Sequence, residues 1–213
     1  MPSLRPEELE EISRETIGHY DEHAESFWQG TRDHDVSQNI AALLAAIDAP
    51  PPLRILDFGC GPGRDLMDFS QRGHTPTGLD GSARFCQMAR QNAGCPVWHQ
   101  DFLALRLPDA YFDGVFANAT LFHIPSQEMP RVLGELRATL RPGGVLFSSV
   151  PRGPQIEGWN GSRYGTYHEL PSWTQMMEAA GFEPLGHYYR PPGRPREEQP
   201  WLASTWRRSR SSG

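Results

Sequence analysis

The run Arg54-Ile55-Leu56-Asp57-Phe58-Gly59-Cys60-Gly61-Pro62-Gly63-Arg64-Asp65 decides how this chain folds. Its first half is apolar and closes on an acid. Its second half has glycine at alternate positions, after which Leu66, Met67 and Phe69 begin a helical spacing. The reading is strand, tight turn, helix. Glycine admits positive φ and lets a ligand approach the backbone, and a helix starting just beyond Pro62 aims unpaired N–H groups at an anionic ligand group. The turn therefore reads as a ligand-binding turn.

Working outward, the next hundred residues alternate. Strands are predicted over residues 54–58, 75–79 (closing on Asp80), 96–99, 112–117 and 145–150, with helices over 65–72, 82–92 and 126–140. Arg141-Pro142-Gly143-Gly144 reads as a helix stop. Such βα units imply an α/β fold, a parallel sheet with helices on both faces and its ligand at the carboxyl ends of the strands. Upstream, residues 6–17 and 16–28 form an amphipathic helix pair or one broken helix, residues 30–35 interrupt it, and Val36, Ile40, Leu43, Leu44 and Ile47 mark a further helix before the stop at Pro50-Pro51-Pro52. Downstream, residues 151–171 show no period and read as a long loop over the site. A short helix over 172–180, capped by Gly181, precedes strands at 182–190 and 200–207, which read as an antiparallel edge. One domain is expected: an N-terminal helical cap (1–50), a cofactor-binding core (53–150), and a lid loop, helix and C-terminal hairpin (151–208).

Composition bounds the function. Of 213 residues 38% are hydrophobic and 22% charged, as in an ordinary globular enzyme, and the 20 prolines and 21 glycines imply long ordered loops. A formal net charge of −6 argues against a nucleic-acid-binding face. Arg207, Arg208 and Arg210 are the local exception, read with Ser209, Ser211, Ser212 and Gly213 as a solvated terminus. Cys60, Cys86 and Cys95 are odd in number and match no paired framework, which points to a reducing, cytoplasmic compartment. No apolar run reaches the ~20 residues of a membrane helix, and residues 1–6 lack the apolar core of a signal peptide.

The glycine turn is not a P-loop, because no lysine and Ser/Thr pair follows Gly63, and Arg64 stands where a dinucleotide fingerprint requires its last glycine. No G-x-S-x-G elbow of a hydrolase is present. Two downstream acids narrow the ligand. Asp80, in Gly78-Leu79-Asp80-Gly81-Ser82, ends the second strand, where a carboxylate receives a ribose diol; its other reading is a cap for the helix starting at Ser82. Gln100-Asp101-Phe102 follows the third strand, where a carboxylate and a ring suit an adenine.

Taken in order, these residues resemble the class I S-adenosylmethionine-dependent methyltransferases. Residues 55–63 are similar to that family's first motif, Gly78-Leu79-Asp80 to its ribose acid, Gln100-Asp101-Phe102 to its adenine motif, Phe112-Asp113-Gly114-Val115-Phe116-Ala117-Asn118 to its fourth strand and Leu140-Arg141-Pro142-Gly143-Gly144-Val145-Leu146 to its fifth. The resemblance covers residues 53–150. It implies a Rossmann-like three-layer sandwich whose seven-stranded sheet is mostly parallel with an antiparallel last strand. It also implies S-adenosyl-L-methionine as cofactor and S-adenosyl-L-homocysteine as product. By the same resemblance, Gly59 and Gly61 approach the methionine part, Asp57 lies near its ammonium, Asp80 with Gly81 meets the ribose, Asp101 and Phe102 meet the adenine, and Asn118 and Ala119 line the sulfonium. Tyr20 and Trp28 resemble N-terminal lid aromatics, although an aromatic stripe at helical spacing also serves a core.

Methyl transfer depends chiefly on in-line positioning and water exclusion. His123 is the candidate catalytic residue: it follows the fourth strand, where the family places substrate-facing residues, and an ordinary imidazole pKa suits proton uptake near neutrality. A structural histidine is the other reading. His19 with His23, and His34 with Asp35, lack a metal-binding order, so no metal is expected. The expected acceptor is a small molecule enclosed with the help of Trp159, Tyr164, Tyr167 and Trp173, and Arg32, Arg152 and Arg163 suit an acceptor bearing a carboxylate. A protein or RNA methyltransferase is the alternative, but Asn118-Ala119-Thr120 departs from the Asn/Asp-Pro-Pro-Tyr/Phe of amide-directed members. A non-catalytic cofactor-binding regulator is a further one. No membrane partner is expected, and the oligomeric state is open.

Overall fold

The computed structural model describes residues 3–209. Two helices open the chain, α1 (Pro6–Glu22) and α2 (Ala24–Thr31), followed by α3 (Ser37–Ala46). Pro6 at the first turn suits α1, as do Glu7 and Glu8 beside its unpaired amides. The alternating region gives β1 (Arg54–Phe58), α4 (Arg64–Gln71), β2 (Thr75–Asp80), α5 (Ala83–Ala93), β3 (Val97–His99), β4 (Phe112–Asn118), α6 (Met129–Thr139) and β5 (Leu140–Pro151). Next come β6 (Glu157–Asn160), β7 (Arg163–Thr166), α7 (Leu170–Ala179), β8 (Phe182–Arg190) and β9 (Trp201–Arg208).

Seven strands form one sheet in the order β3-β2-β1-β4-β5-β9-β8. β1 to β5 pair in parallel, and β9 runs antiparallel to both of its neighbours. Alternation along the strands divides the core. Leu56 and Phe58 of β1, with Val115 and Ala117 of β4, face α6 and α7, whereas Ile55 and Phe116 face Ile40 and Leu43 of α3 and Phe69 of α4. Helices therefore cover both faces, giving three layers. Each fully buried Leu, Ile or Phe contributes about 1.5–3 kcal/mol. Trp173 and Trp206 are the largest fully buried side chains. The Trp173 indole donates to Ser148 Oγ (3.1 Å) and that of Trp206 to Ser204 Oγ (2.8 Å), and the two serine hydroxyls meet across β5 and β9 (3.0 Å).

Four expectations need correction. The stretch expected as a loop over 151–171 contains the antiparallel hairpin β6–β7, in which Trp159 faces Tyr164. β5 begins at Leu140 rather than after Gly144, because Leu140 pairs with Phe112 before the register shifts at Gly114. α6 begins at Met129, three residues later than expected, and the Ser126 amide is held by Glu157 of the hairpin (3.0 Å). Arg207 and Arg208 belong to β9, where Arg208 donates to the carbonyls of Ala138 and Leu140, so they are not a solvated tail. Arg210, Ser211, Ser212 and Gly213 lie outside the described residues.

Candidate active site

The carboxyl ends of β1, β2 and β4 open into a cavity of about 740 Å³, roofed by α1, α2 and the β6–β7 hairpin. Of the residues singled out in the sequence, Tyr20, Trp28, Gly59, Gly61, Asp80, Gly81, Asp101, Phe102, Asn118, Ala119 and His123 line this one chamber. Asp57 does not: it is 2% exposed and stands behind the glycine turn. Its Oδ2 has no hydrogen-bond partner. Burial and the neighbouring Asp65 carboxylate raise the Asp57 carboxyl well above its usual range, with Arg64 opposing.

The turn is shaped for close approach. Gly59 has φ +77°, and a Cβ there would stand 2.3 Å from the Thr120 side chain. Gly61, at φ +51°, would meet only Phe27 Cε1 at 3.7 Å, so its backbone is open to the chamber. Asp80 closes the turn from the other side, accepting the Gly61 amide on Oδ2 (2.9 Å) and the Ser82 amide on Oδ1 (2.9 Å). Ser82, not Asp80, is the helix cap, its Oγ accepting the Phe85 amide (2.9 Å). Burial outweighs the backbone amides of Ser82, Gly61 and Gly81 and pushes the Asp80 carboxyl up to about 6. Asp101 accepts the Leu103 amide (2.8 Å) and the hydroxyl of Ser13 on α1 (2.6 Å), while the Phe102 ring lies 4.4 Å from that of Phe58.

His123 ends a single tight helical turn after β4. Its Nδ1 contacts the Tyr164 carbonyl (2.7 Å), which can only accept, so Nδ1 carries the proton. Nε2 then accepts the Tyr20 hydroxyl (2.8 Å). Burial pushes the imidazole down to about 4, which does not match the ordinary pKa expected from the sequence. The Tyr20 ring also packs against Phe27 (5.6 Å) and Phe85 (5.6 Å), forming an apolar wall on the α1–α2 side.

Several participants escaped the sequence reading. Asn39 of α3 is buried and donates to Asn118 Oδ1 (2.9 Å), and it accepts from Tyr188 (2.8 Å) and Arg190 (2.8 Å). Its signal was an amide among Val36, Ile40 and Leu43 on one helical face. Arg64 grips Asp65 through two bonds (2.6 and 3.0 Å), and Asp21 accepts from Ser82 and from the Arg84 amide. Of the expected pocket aromatics, Tyr164 and Tyr167 line the chamber, Trp173 is core, and Trp159 is 49% exposed outside it. Arg152 pairs with Glu169 (3.2 Å) and Arg32 with Asp33 (3.3 Å), both away from the lining, whereas Arg163 lines it. The His19 and His23 rings stack at 4.4 Å, and His23 Nδ1 donates to the His19 carbonyl (2.8 Å). Among the described residues no group of three or more His, Cys, Asp or Glu could hold a metal.

Comparison with known proteins agrees with this geometry. Residues 55–144 match a family described as a methyltransferase domain. The chain is 36% identical over 112 residues to the trans-aconitate 2-methyltransferase of Azoarcus sp. (strain BH72), covering 52% of this chain and 44% of that protein. It is 41% identical over 103 residues to the malonyl-[acyl-carrier protein] O-methyltransferase of Erwinia pyrifoliae, covering 47% and 38%. The chain thus spans less than half the length of these two relatives. Among solved structures it is similar to the Burkholderia thailandensis 1,6-didemethyltoxoflavin-N1-methyltransferase bound to 1,6-didemethyltoxoflavin and S-adenosylhomocysteine, with a TM-score of 0.78 over 98% of this chain and 92% of that one. At 23% identity that is a likeness of fold. The matched segment holds the glycine turn and both acids in the order read from the sequence, and residues 55–144 carry a methyltransferase domain similar to those of the class I S-adenosylmethionine-dependent methyltransferases.

Proposed function

We propose that this chain transfers a methyl group from S-adenosylmethionine to a small-molecule acceptor. One observation carries the reading: the glycine turn, Asp80, Asp101 and the Tyr20–His123 pair share a single chamber of about 740 Å³, a volume suited to small molecules. Residues of the chamber fit the cofactor. Asp80 keeps lone pairs for the ribose hydroxyls, Gly59 and Gly61 offer backbone to the amino-acid end, and behind that turn the unpartnered Asp57 Oδ2 leaves a carboxyl oxygen able to accept from an ammonium. Asp101 and Phe102 fall to the adenine, Gly81 to the ribose edge, and Asn118 and Ala119 to the side where the sulfur would stand.

Bound there, S-adenosylmethionine supplies a methyl on a sulfonium: an acceptor lone pair forms the new bond to carbon, and the carbon–sulfur pair stays with sulfur. The chain's own contribution is placement and the exclusion of water. Neutral His123, with both nitrogens engaged, holds the Tyr20 hydroxyl in the chamber wall and acts as a positioning residue. The relative named for trans-aconitate supports the choice of acceptor. All 213 residues are proposed to act as one domain in the cytoplasm, supported by three free cysteines, two of them buried. No helix among the described residues is long and apolar enough to cross a membrane.

Calorimetry with S-adenosylmethionine and S-adenosylhomocysteine tests the premise, with Asp80→Ala weakening binding by roughly 2–4 kcal/mol. Radiolabelled methyl transfer into metabolite, protein and RNA fractions tests the acceptor. Absence of binding refutes the enzyme, and label in protein or RNA refutes the small-molecule acceptor.

A further inference from the structure

We propose that the acceptor carries a carboxylate and that Arg163 receives it. This rests on the methyl-transfer reading and narrows it to one class of acceptor. Three arginines line the chamber. Arg64 is bound to Asp65 and to the Thr31 carbonyl (2.9 Å). Arg190 donates to Asn39 Oδ1 and to the Asp35 carbonyl, each at 2.8 Å. Arg163 forms none of the ion pairs among the described residues. Its guanidinium stands over the Tyr20 ring, 6.0 Å from the centroid, and its charge acts on the Tyr20 hydroxyl, on His123 and on His19. This cation thus stands beside two histidines and a tyrosine, with no carboxylate in ion-pair contact among the described residues.

The backbone carrying Arg163 is fixed. The next residue, Tyr164, gives its amide to Thr16 Oγ1 on α1 (3.1 Å) and its carbonyl to His123 (2.7 Å), so β7 is tied to both walls of the chamber. A half-buried guanidinium held beside Tyr20 without an ion-pair partner among the described residues favours an anionic ligand, and its planar fork matches a carboxylate. Phe122, Tyr164, Tyr167 and Trp201 line the same end and suit an apolar body behind the acid. The state of His123 points the same way. Its nitrogens are engaged, so an acceptor that arrives already ionised is the one the site can handle without a proton acceptor, and carboxylates are ionised at neutral pH.

The test is calorimetry on the full chain at fixed ionic strength, with and without saturating S-adenosylhomocysteine, using benzoate and succinate as probes beside benzamide, succinamide and phenyl phosphate. The expected result is that at least one acid binds about tenfold tighter than its amide and than phenyl phosphate. Arg163→Gln should weaken that acid by about tenfold and leave S-adenosylhomocysteine affinity within about twofold, and Arg163→Lys should restore part of the loss. Binding of neither acid to the wild type, equal binding of amide and acid, preference for the phosphate ester, or unchanged acid affinity in Arg163→Gln would each overturn the proposal. Failure of S-adenosylhomocysteine to bind the wild type refutes the methyl-transfer reading instead, and the runs without it still report on Arg163.

Discussion

Asp80 and His123 line one cavity with opposed titrations, and the acid stability of the ligand-free protein should reveal both. Burial raises Asp80 from 3.8 to about 6, so its stabilising contribution is full below 3.8 and lost as pH rises through about 6. Burial lowers His123 from 6.5 to about 4, so its contribution is present above 6.5 and lost as pH falls through about 4. At about 1.4 kcal/mol per unit of pKa difference, acidification from pH ~7 to ~4 gains about 2–3 kcal/mol through Asp80 and loses about 2–3 kcal/mol through His123. In the wild type the two nearly cancel. Asp80→Asn removes the gain, so its stability should fall by about 2–3 kcal/mol more than that of the wild type over the same span. His123→Gln removes the loss and should shift the profile by a like amount in the opposite direction. Asp57, also raised by burial, titrates in the direction of Asp80, and because the Asp80 charge helps to raise it, Asp80→Asn trims the Asp57 gain as well and adds to the same difference. Urea unfolding followed by tryptophan fluorescence, at fixed ionic strength and several pH values, gives the profiles. Parallel curves for the three proteins would refute the reasoning.

The two glycines of the turn should separate stability from binding. Gly59→Ala drives a Cβ into Thr120 and should cost more than ~3 kcal/mol, whereas Gly61→Ala, with Phe27 at 3.7 Å as its nearest neighbour, should cost about 1 kcal/mol while weakening S-adenosylhomocysteine about tenfold. Scanning calorimetry with a ligand titration checks both, and equal losses of melting temperature would contradict the distinction. Ser148→Ala strips the Trp173 indole of its acceptor while Trp206 keeps Ser204, so urea unfolding should report a loss of about 1–3 kcal/mol.

Legibility followed the range of the interactions. β1 lies where the apolar run over residues 54–58 placed it, because a strand buried on both faces between two helical layers reads as continuous hydrophobicity. β5 was read short because its first pairing, Leu140 with Phe112, is made across a register shift, and the Pro-Gly-Gly that follows looks locally like a stop. The β6–β7 hairpin carried its own signal in Asn160-Gly161, with Gly161 at φ +62°, but four-residue strands show too little alternation to stand out among Gly, Pro and aromatic residues. Within the site, Asp80 and Asp101 are readable because Asp80 ends its strand and Asp101 stands two residues beyond the end of β3. The capture of His123 by Tyr20 and Tyr164 was not, since those residues meet it across 103 and 41 positions of chain. The same holds for Arg163, whose lack of an ion pair among the described residues only the folded arrangement distinguishes from the pairing of Arg152 with Glu169.

The placement of β9 has a consequence for biosynthesis. β5 pairs with a strand made about 50–60 residues later, so when Val145 to Pro151 leaves the ribosome its outer edge has no neighbour. The glycine turn, Asp80 and Asp101 are by then already made, yet the sheet that supports them ends in an apolar edge able to recruit other chains. At about 5–20 residues per second, that interval lasts roughly 3–12 s for every copy translated.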